Sequence, residues 1–217
     1  MSTQIIECKI VDSNRKVLGS LTVWAFATGE FEFTGDFLSF MDEWSQESHR
    51  FSCLFDRTAK LRSRFAREGT SIWGTEVTDQ PAIAYLEHMR IKPKYCNQGI
   101  GSWVLKQIWL PEEGVKMVNT DFLFVQPGAL VEEFPPHDPF EPDPHREAKL
   151  AISDRITQSC QRNGFRRVGA TSYFCLSFDP NHASRCIPIT EDAKFVEDAT
   201  RSKGELVGML ARGAMPW

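Results

Sequence analysis

Ala82 to Ile91 reads as an apolar-rich strand that stops at Lys92-Pro93, and an amphipathic helix begins a few residues later, after Gly99-Ile100-Gly101. No other stretch constrains the fold as much. A strand that feeds straight into a helix must be followed by a crossover, so part of the sheet is expected to be parallel. The helix is expected to carry Ile100, Trp103, Val104, Gln107 and Ile108 on one side and to stop at Pro111.

The flanking segments extend this pattern. Ile5 to Val11 and Val17 to Phe26 are β-branched and apolar, and Asp12-Ser13-Asn14-Arg15 between them is turn chemistry, which predicts a hairpin. From Gly35 to Arg67 the spacing turns helical, with Phe37, Phe40, Met41 and Trp44 recurring together. Ser71 to Val77 is expected as a short strand, and Phe122 to Gln126 as a compact one bounded by Pro127-Gly128. A helix over Arg146 to Arg162 aligns Ala148, Ile152, Ile156 and Cys160, with Asn163-Gly164 as a left-handed cap. A last strand is expected from Arg167 to Phe178, a loop over Asn181 to Pro188, and a helical tail over Glu191 to Leu210. Alternating strands and helices in the second half give an α/β or α+β core with a partly parallel sheet.

The segment 127–146 holds six prolines interleaved with acids, which excludes a regular helix or a central strand there. A connection that long is expected to be a functional lid or a disordered insertion. The whole chain, 1–217, is expected to be one domain carrying this insertion and a C-terminal helical extension over about 179–217.

The formal net charge is −4 and basic residues alternate with acidic ones, so no concentrated basic face suggests nucleic acid as a partner. No apolar run reaches the roughly eighteen residues a membrane span needs, and Met1 to Glu7 lacks a secretory pattern. A cytoplasmic protein is therefore expected. The six cysteines and five histidines are scattered singly, which predicts reduced thiols and no metal site.

Chemistry concentrates in Pro93-Lys94-Tyr95-Cys96-Asn97-Gln98-Gly99-Ile100-Gly101-Ser102. Glycines at 99 and 101 let the backbone take positive φ and come close to a ligand. The helix behind them begins with unpaired N–H groups and a partial positive charge, which suits an anion. Ser102 adds a hydroxyl donor. Two glycines that merely let a strand and a helix pack tightly are the structural alternative. The third glycine of a dinucleotide fingerprint is missing, and no Gly-Lys-Ser/Thr follows as in a P-loop.

The stretch Leu86 to Ser102 resembles the central motif of the GNAT superfamily of N-acetyltransferases, in which a strand ending in Val-x-Pro precedes Arg/Gln-x-x-Gly-x-Gly and an amphipathic helix. Ile156 to Gly169 resembles that family's helix closing in Gly-Phe, and Phe122 to Gln126 falls where the family places its splayed strand. The resemblance covers about 71–178. It implies a mixed, mostly antiparallel central sheet with a parallel splayed strand pair, flanked by helices. It also departs from the family. Cys96 stands at the motif's Arg/Gln position, Cys160 at the family's usual tyrosine, and the link 127–146 is longer than usual.

The function implied is transfer of an acetyl group from acetyl-CoA to an amine acceptor while both are bound, by a monomer or homodimer without a metal. A catalytically silent acyl-CoA-binding or interaction module on the same fold is the alternative. By resemblance, the backbone of Met89, Arg90 and Ile91 lies along the pantetheine arm. The turn Cys96-Asn97-Gln98-Gly99-Ile100-Gly101-Ser102 holds the diphosphate, and Ser153 on the later helix also serves the cofactor. Glu87 is the expected general base, directly or through water, on the strand face shared with Tyr85 and Met89, whereas His88 faces away. Alternatively, Glu87 points to solvent or pairs with Arg90 or a lysine. Tyr85 is a second candidate for this role. Cys160 is either the acid for the leaving thiolate or a core residue. Glu132, Glu133, Asp138, Glu141 and Asp143 either attract a cationic acceptor or belong to a solvated loop, and Trp24, Trp44 and Trp73 either bracket an aromatic or apolar acceptor instead or are core.

Overall fold

In the computed structural model the described residues are 3–28, 36–108, 119–130, 134–135 and 142–196. β1 (Thr3–Val11) and β2 (Val17–Ala27) form the expected antiparallel hairpin, in register from Thr3 opposite Phe26 to Ile10 opposite Gly19 and shifted by one residue where Val11 meets Val17. Asp12 makes the turn, its Oδ1 accepting the N–H groups of Asn14 and Lys16, each at 2.9 Å. Such a side-chain mimic of a backbone turn is why Asp favours this position.

The helical region resolves into α1 (Phe37–Trp44), α2 (Gln46–Ser52) and α3 (Ser63–Arg67). Asp36 caps α1 through Ser39 N–H, and Ser45 and Ser48 cap α2 reciprocally, each side chain meeting the other's backbone N–H. That exchange satisfies donors a helix start leaves open.

β3 (Ala82–Ile91) has the expected bounds and lies antiparallel to β2. A 3-10 turn at Pro93–Tyr95 leads to α4 (Ile100–Gln107). β4 (Phe122–Val125) returns parallel to β3, and α5 (Arg146–Arg162) also has the expected bounds. β5 (Arg166–Arg167), β6 (Phe174–Ser177) and the single-turn helix α6 (Ala183–Cys186) follow. The sheet runs β1-β2-β3-β4-β6-β5 and is antiparallel except at β3–β4. It is a mixed α/β architecture, a mostly antiparallel six-stranded sheet with one parallel pair, flanked by helices.

Two cores cover the two faces. On one, α1 to α3 bring Phe37, Met41, Phe51 and Phe65 against Trp24, Phe26, Tyr85 and Phe124. On the other, Val104, Leu105 and Cys160 from α4 and α5 pack on Val23, Ala84, Leu86 and Leu123. Phe51 joins the two halves of the first face, its ring 4.5 Å from Tyr85, 5.5 Å from Phe124 and 5.6 Å from Tyr173.

Several expectations are corrected. Ser71–Val77 is not a strand. Trp73 is buried and donates Nε1–H to Arg167 O at 2.9 Å, and Thr75–Val77 is a 3-10 turn, with Glu76 Oε1 accepting Gly74 N–H at 2.7 Å. Side-chain bonds of that kind outcompete ladder pairing. The single strand expected over Arg167–Phe178 is instead two short strands folded back at Gly169 (φ 58°). The buried stripe of α4 is Val104, Leu105 and Ile108, and Trp103 is 54% exposed. On α5, Ala148 is exposed while Ile156 and Cys160 reach the core. The left-handed cap forms as expected, with Gly164 at φ 93° and Phe165 N–H donating to Cys160 O at 3.1 Å. The segment 191–196 is a 3-10 end and irregular chain rather than helix, tied by Val196 N–H to Ala170 O at 2.9 Å. Pro111 and the tail beyond 196 lie outside the described residues. None of the described helices is long and apolar enough to cross a membrane.

Candidate functional site

Residues 85–91 and 96–102 sit at the end of the parallel pair. β3 and β4 pair through Ala84–Leu123, Tyr85–Phe124 and Leu86–Val125, and the pairing ends there. β3 continues to Ile91, while Gln126-Pro127 lead β4 out of the sheet, proline having no N–H for a ladder. Among the described residues, Glu87 to Ile91 therefore have a strand neighbour, β2, on one side only. Met89, Arg90 and Ile91 lie on this open length.

At the same point β3 bulges. Thr22 of β2 stands opposite His88 and Val23 opposite Leu86, so Glu87 is the extra residue. A bulge turns two successive side chains toward one side and reverses the alternation beyond it. This corrects the expected face. Tyr85 belongs to the core under α1 to α3, whereas Met89 packs with Leu86 in the core under α4 and α5. His88, expected to face away, meets Glu87, its Nδ1 at 2.6 Å from Glu87 Oε2. Both side chains are partly exposed, at 32% and 26% respectively. The pair couples an imidazole to a carboxylate that accepts its proton or orients its ring.

Tyr85 lies against Trp24 at 5.6 Å and is 2% exposed. Burial, reinforced by the carboxylates of Glu47 and Glu87, pushes its phenol far above the ordinary range, so it stays protonated. The expectation of Tyr85 as an alternative base is thereby corrected: it can donate a hydrogen bond but not take a proton. Tyr173 is raised by burial in the same way. Glu47, on the first turn of α2, was not singled out from sequence because nothing local links it to β3.

The turn beyond β3 is built from two left-handed residues, Asn97 (φ 61°) and Gly99 (φ 76°). Gly99 caps α4 without any side-chain bond, and Trp103 N–H donating to Gly99 O at 2.9 Å is the first helical bond. Ile100, Gly101 and Ser102 thus precede the hydrogen-bonded ladder, their N–H groups at the positive end of the helix. The glycines are not there for packing. A Cβ on Gly99 would meet nothing within 4 Å, and one on Gly101 only Met89 Cε at 3.5 Å, an ordinary contact. Cys96 is exposed, its Sγ 3.5 Å from Ile91 O, and Gln98 Nε2 donates to Lys94 O at 3.1 Å. Both bonds close the turn on itself. Lys16 and Lys94 lie over the Tyr95 ring, their Nζ atoms 5.6 and 5.0 Å from its centroid. Hydrogen bonding to Lys16, then to Lys94, holds that phenol below its usual value.

Other expected residues lie elsewhere. Cys160 is 8% exposed in the core under α5, and burial pushes its thiol up to about 12. The structure thus gives it the core reading. Ser153 is half-buried two turns before it on α5. Trp73 is core, whereas Trp44 is 38% exposed and meets Trp24 edge-on at 6.4 Å. Of the acidic insertion, Asp143 is held by Lys149 Nζ at 2.8 Å, and Glu132, Glu133, Asp138 and Glu141 lie outside the described residues. No cluster of three His, Cys, Asp or Glu side chains suited to a metal occurs among the described residues.

Compared with known proteins, the chain matches no family model, no curated protein and no solved structure. Its functional reading rests on the geometry of the chain itself.

Proposed function

We propose that the chain is an acetyl-CoA-dependent N-acetyltransferase of the GNAT kind, acting by direct transfer to an amine. The observation that carries this reading is one coincidence in β3. The strand loses its parallel neighbour after Leu86, bulges at Glu87 toward His88, and runs to Ile91 before a turn that leads into a glycine-opened helix start.

Each part has a role in that reaction. The exposed N–H groups of Ile100, Gly101 and Ser102 take the diphosphate of coenzyme A. The open edge of Met89–Ile91 aligns the pantetheine arm by strand-like hydrogen bonds, which removes much of the entropic barrier to transfer. Glu87, oriented by His88, accepts the proton from the acceptor ammonium, directly or through water. The amine nitrogen then attacks the thioester carbonyl carbon, and a backbone N–H near Met89 faces the oxyanion. As the tetrahedral centre collapses, the C–S bond breaks, the nitrogen gives up its second proton to solvent to become the amide, and the thiolate of coenzyme A takes a proton from solvent. Trp44, exposed and edge-on to the Trp24 ring that lies against Tyr85, offers an indole face where an ammonium with an apolar body fits.

The experiment mixes the protein with acetyl-CoA and a panel of polyamines, amino acids and aminated antibiotics, and follows free thiol. Thiol release with at least one amine, cut by Glu87→Gln about 10²- to 10⁴-fold at unchanged coenzyme A affinity, is expected. No affinity for coenzyme A overturns the reading. The burial of Cys160, which removes a thiol acid, favours a second reading of an acyl-CoA-binding module without turnover. Tight binding with no thiol release across the panel selects it.

A further inference from the structure

We propose that β1 is the interface of a homodimer. It pairs antiparallel with β1 of a second copy about a twofold axis at Cys8, joining the two six-stranded sheets edge to edge. This contact is independent of acyl transfer and of any ligand.

β1 is the outermost strand of the sheet, nine residues long, and among the described residues its strand neighbour is β2 alone. Its other edge presents main-chain N–H and C=O groups that a further strand can take up. Natural edges are commonly blunted by proline or by a bulge. Thr3–Val11 contains no proline, and the register shift near the hairpin turn puts its extra residue, Leu18, on β2, so β1 itself is unbulged. Its charged side chains, Glu7 and Lys9, are answered when the strand meets its own copy.

Side-chain alternation selects the register. Ile6, Cys8 and Ile10 belong to the core under α4 and α5, while Ile5, Glu7, Lys9 and Val11 between them are exposed. Directly opposite residues of an antiparallel pair share a face, so both cores stay on one side only if the axis passes through a residue. An axis at Ile6 sets Ile5 against Glu7. One at Glu7 sets Glu7 against Glu7, and one at Lys9 sets Lys9 against Lys9. At Cys8, by contrast, Glu7 meets Lys9, Ile5 meets Val11 and Ile6 meets Ile10, each of them twice. Ile5 is 50% exposed and Val11 43%, so this register covers the apolar surface that β1 otherwise shows to water. Within the sheet, the residues opposite Glu7 and Lys9 are the uncharged Thr22 and Ser20, which leaves both charges to be met from the other edge. Opposite-charge and apolar cross-strand pairs stabilise a ladder, whereas like charges directly opposite weaken it. A twofold contact counts each effect twice.

Sedimentation velocity on the full chain over a range of concentrations tests the interface. The parent is expected to associate to a dimer. Glu7→Lys and Lys9→Glu are each expected to weaken that dimer at least about tenfold, because each sets like charges opposite one another twice. The double variant restores both pairs in swapped order and is expected to associate within about threefold of the parent. All three change exposed side chains, so their melting at concentrations where the chain is monomeric is expected to match the parent's. With the exposed Cys96 and Cys186 changed to serine, a short thiol cross-linker is expected to join two chains, and Cys8→Ser to abolish the join. A parent that stays monomeric at about 0.1 mM overturns the inference. So does a dimer that neither single reversal weakens, or one whose chains are not joined through Cys8.

Discussion

Gly99 and Gly101 give opposite predictions for the same substitution, alanine. Gly99 has φ 76° and ψ 1°, and a Cβ there finds nothing within 4 Å. Gly99→Ala therefore suffers no clash, only the left-handed backbone penalty of about 1–2 kcal/mol. For a chain of this size that lowers the melting temperature by roughly 2–8 °C. Gly101 lies inside α4 with ordinary helical φ, and its Cβ would rest 3.5 Å from Met89 Cε. Gly101→Ala gains up to about 1 kcal/mol of helix propensity, so melting stays level or rises by a few degrees. Coenzyme A binding adds a second axis. Relaxing the turn at 99 re-aims the amides of Ile100 to Ser102, so Gly99→Ala is expected to lose at least about tenfold in affinity, a shift of about 1.4 kcal/mol. Differential scanning fluorimetry and calorimetry on the two variants read both axes. A Gly99→Ala protein that melts and binds like the parent refutes the left-handed turn. A Gly101→Ala protein destabilised by more than about 1 kcal/mol refutes the claim that this glycine is not there for packing.

Further outcomes follow from the same geometry. His88→Ala leaves Glu87 without its 2.6 Å partner and is expected to lower kcat at least about tenfold with the KM for acetyl-CoA unchanged. Tyr85→Phe is expected to leave the alkaline limb of the pH–rate profile unaltered, because the buried phenol does not ionise in the working range. Cys160 is raised to about 12 from 9.0, so it favours the fold below pH 9 and loses that contribution as pH rises toward 12. Denaturant titrations across that window are expected to show Cys160→Ala falling less steeply than the parent. With a thiol reagent, Cys96 and Cys186 should react in the native protein, and Cys160 and Cys175 only after unfolding. Phe51→Ala, which opens the ring contacts between Tyr85 and Phe124, is expected to cost about 3–5 kcal/mol in denaturant unfolding.

The elements with strong local punctuation were legible in the sequence. Asp12 to Arg15, Lys92-Pro93, Gly99-Ile100-Gly101 and Asn163-Gly164 each mark an end by turn or cap chemistry, and β3 and α5 have the expected bounds. The bulge was not legible, because Tyr85-Leu86-Glu87-His88-Met89 alternates acceptably without it. A hint was present: Leu86 and Met89 are both apolar three residues apart, which no regular strand can bury on one face. The faces of Tyr85, His88 and Met89 relative to Glu87 all depend on that one extra residue. Gly169-Ala170-Thr171-Ser172 is turn chemistry inside what looked like one strand, and it is where β5 folds back to β6. Trp103 and Ala148 went wrong for another reason. Helical spacing tells which residues share a face, but only tertiary packing decides how far that face stays covered.

The early parting of β3 and β4 has a consequence for how the molecule breathes. Among the described residues, three ladder pairs join the β1–β2–β3 half of the sheet to the β4–β6–β5 half. Amide exchange should therefore grade along β3 rather than inward from the sheet's rim, slow at Ala84 to Leu86 and quicker toward Ile91. Beyond that seam the far end of β3 is held by β2 alone, and a guest molecule that bridged it to the other half would stiffen both together.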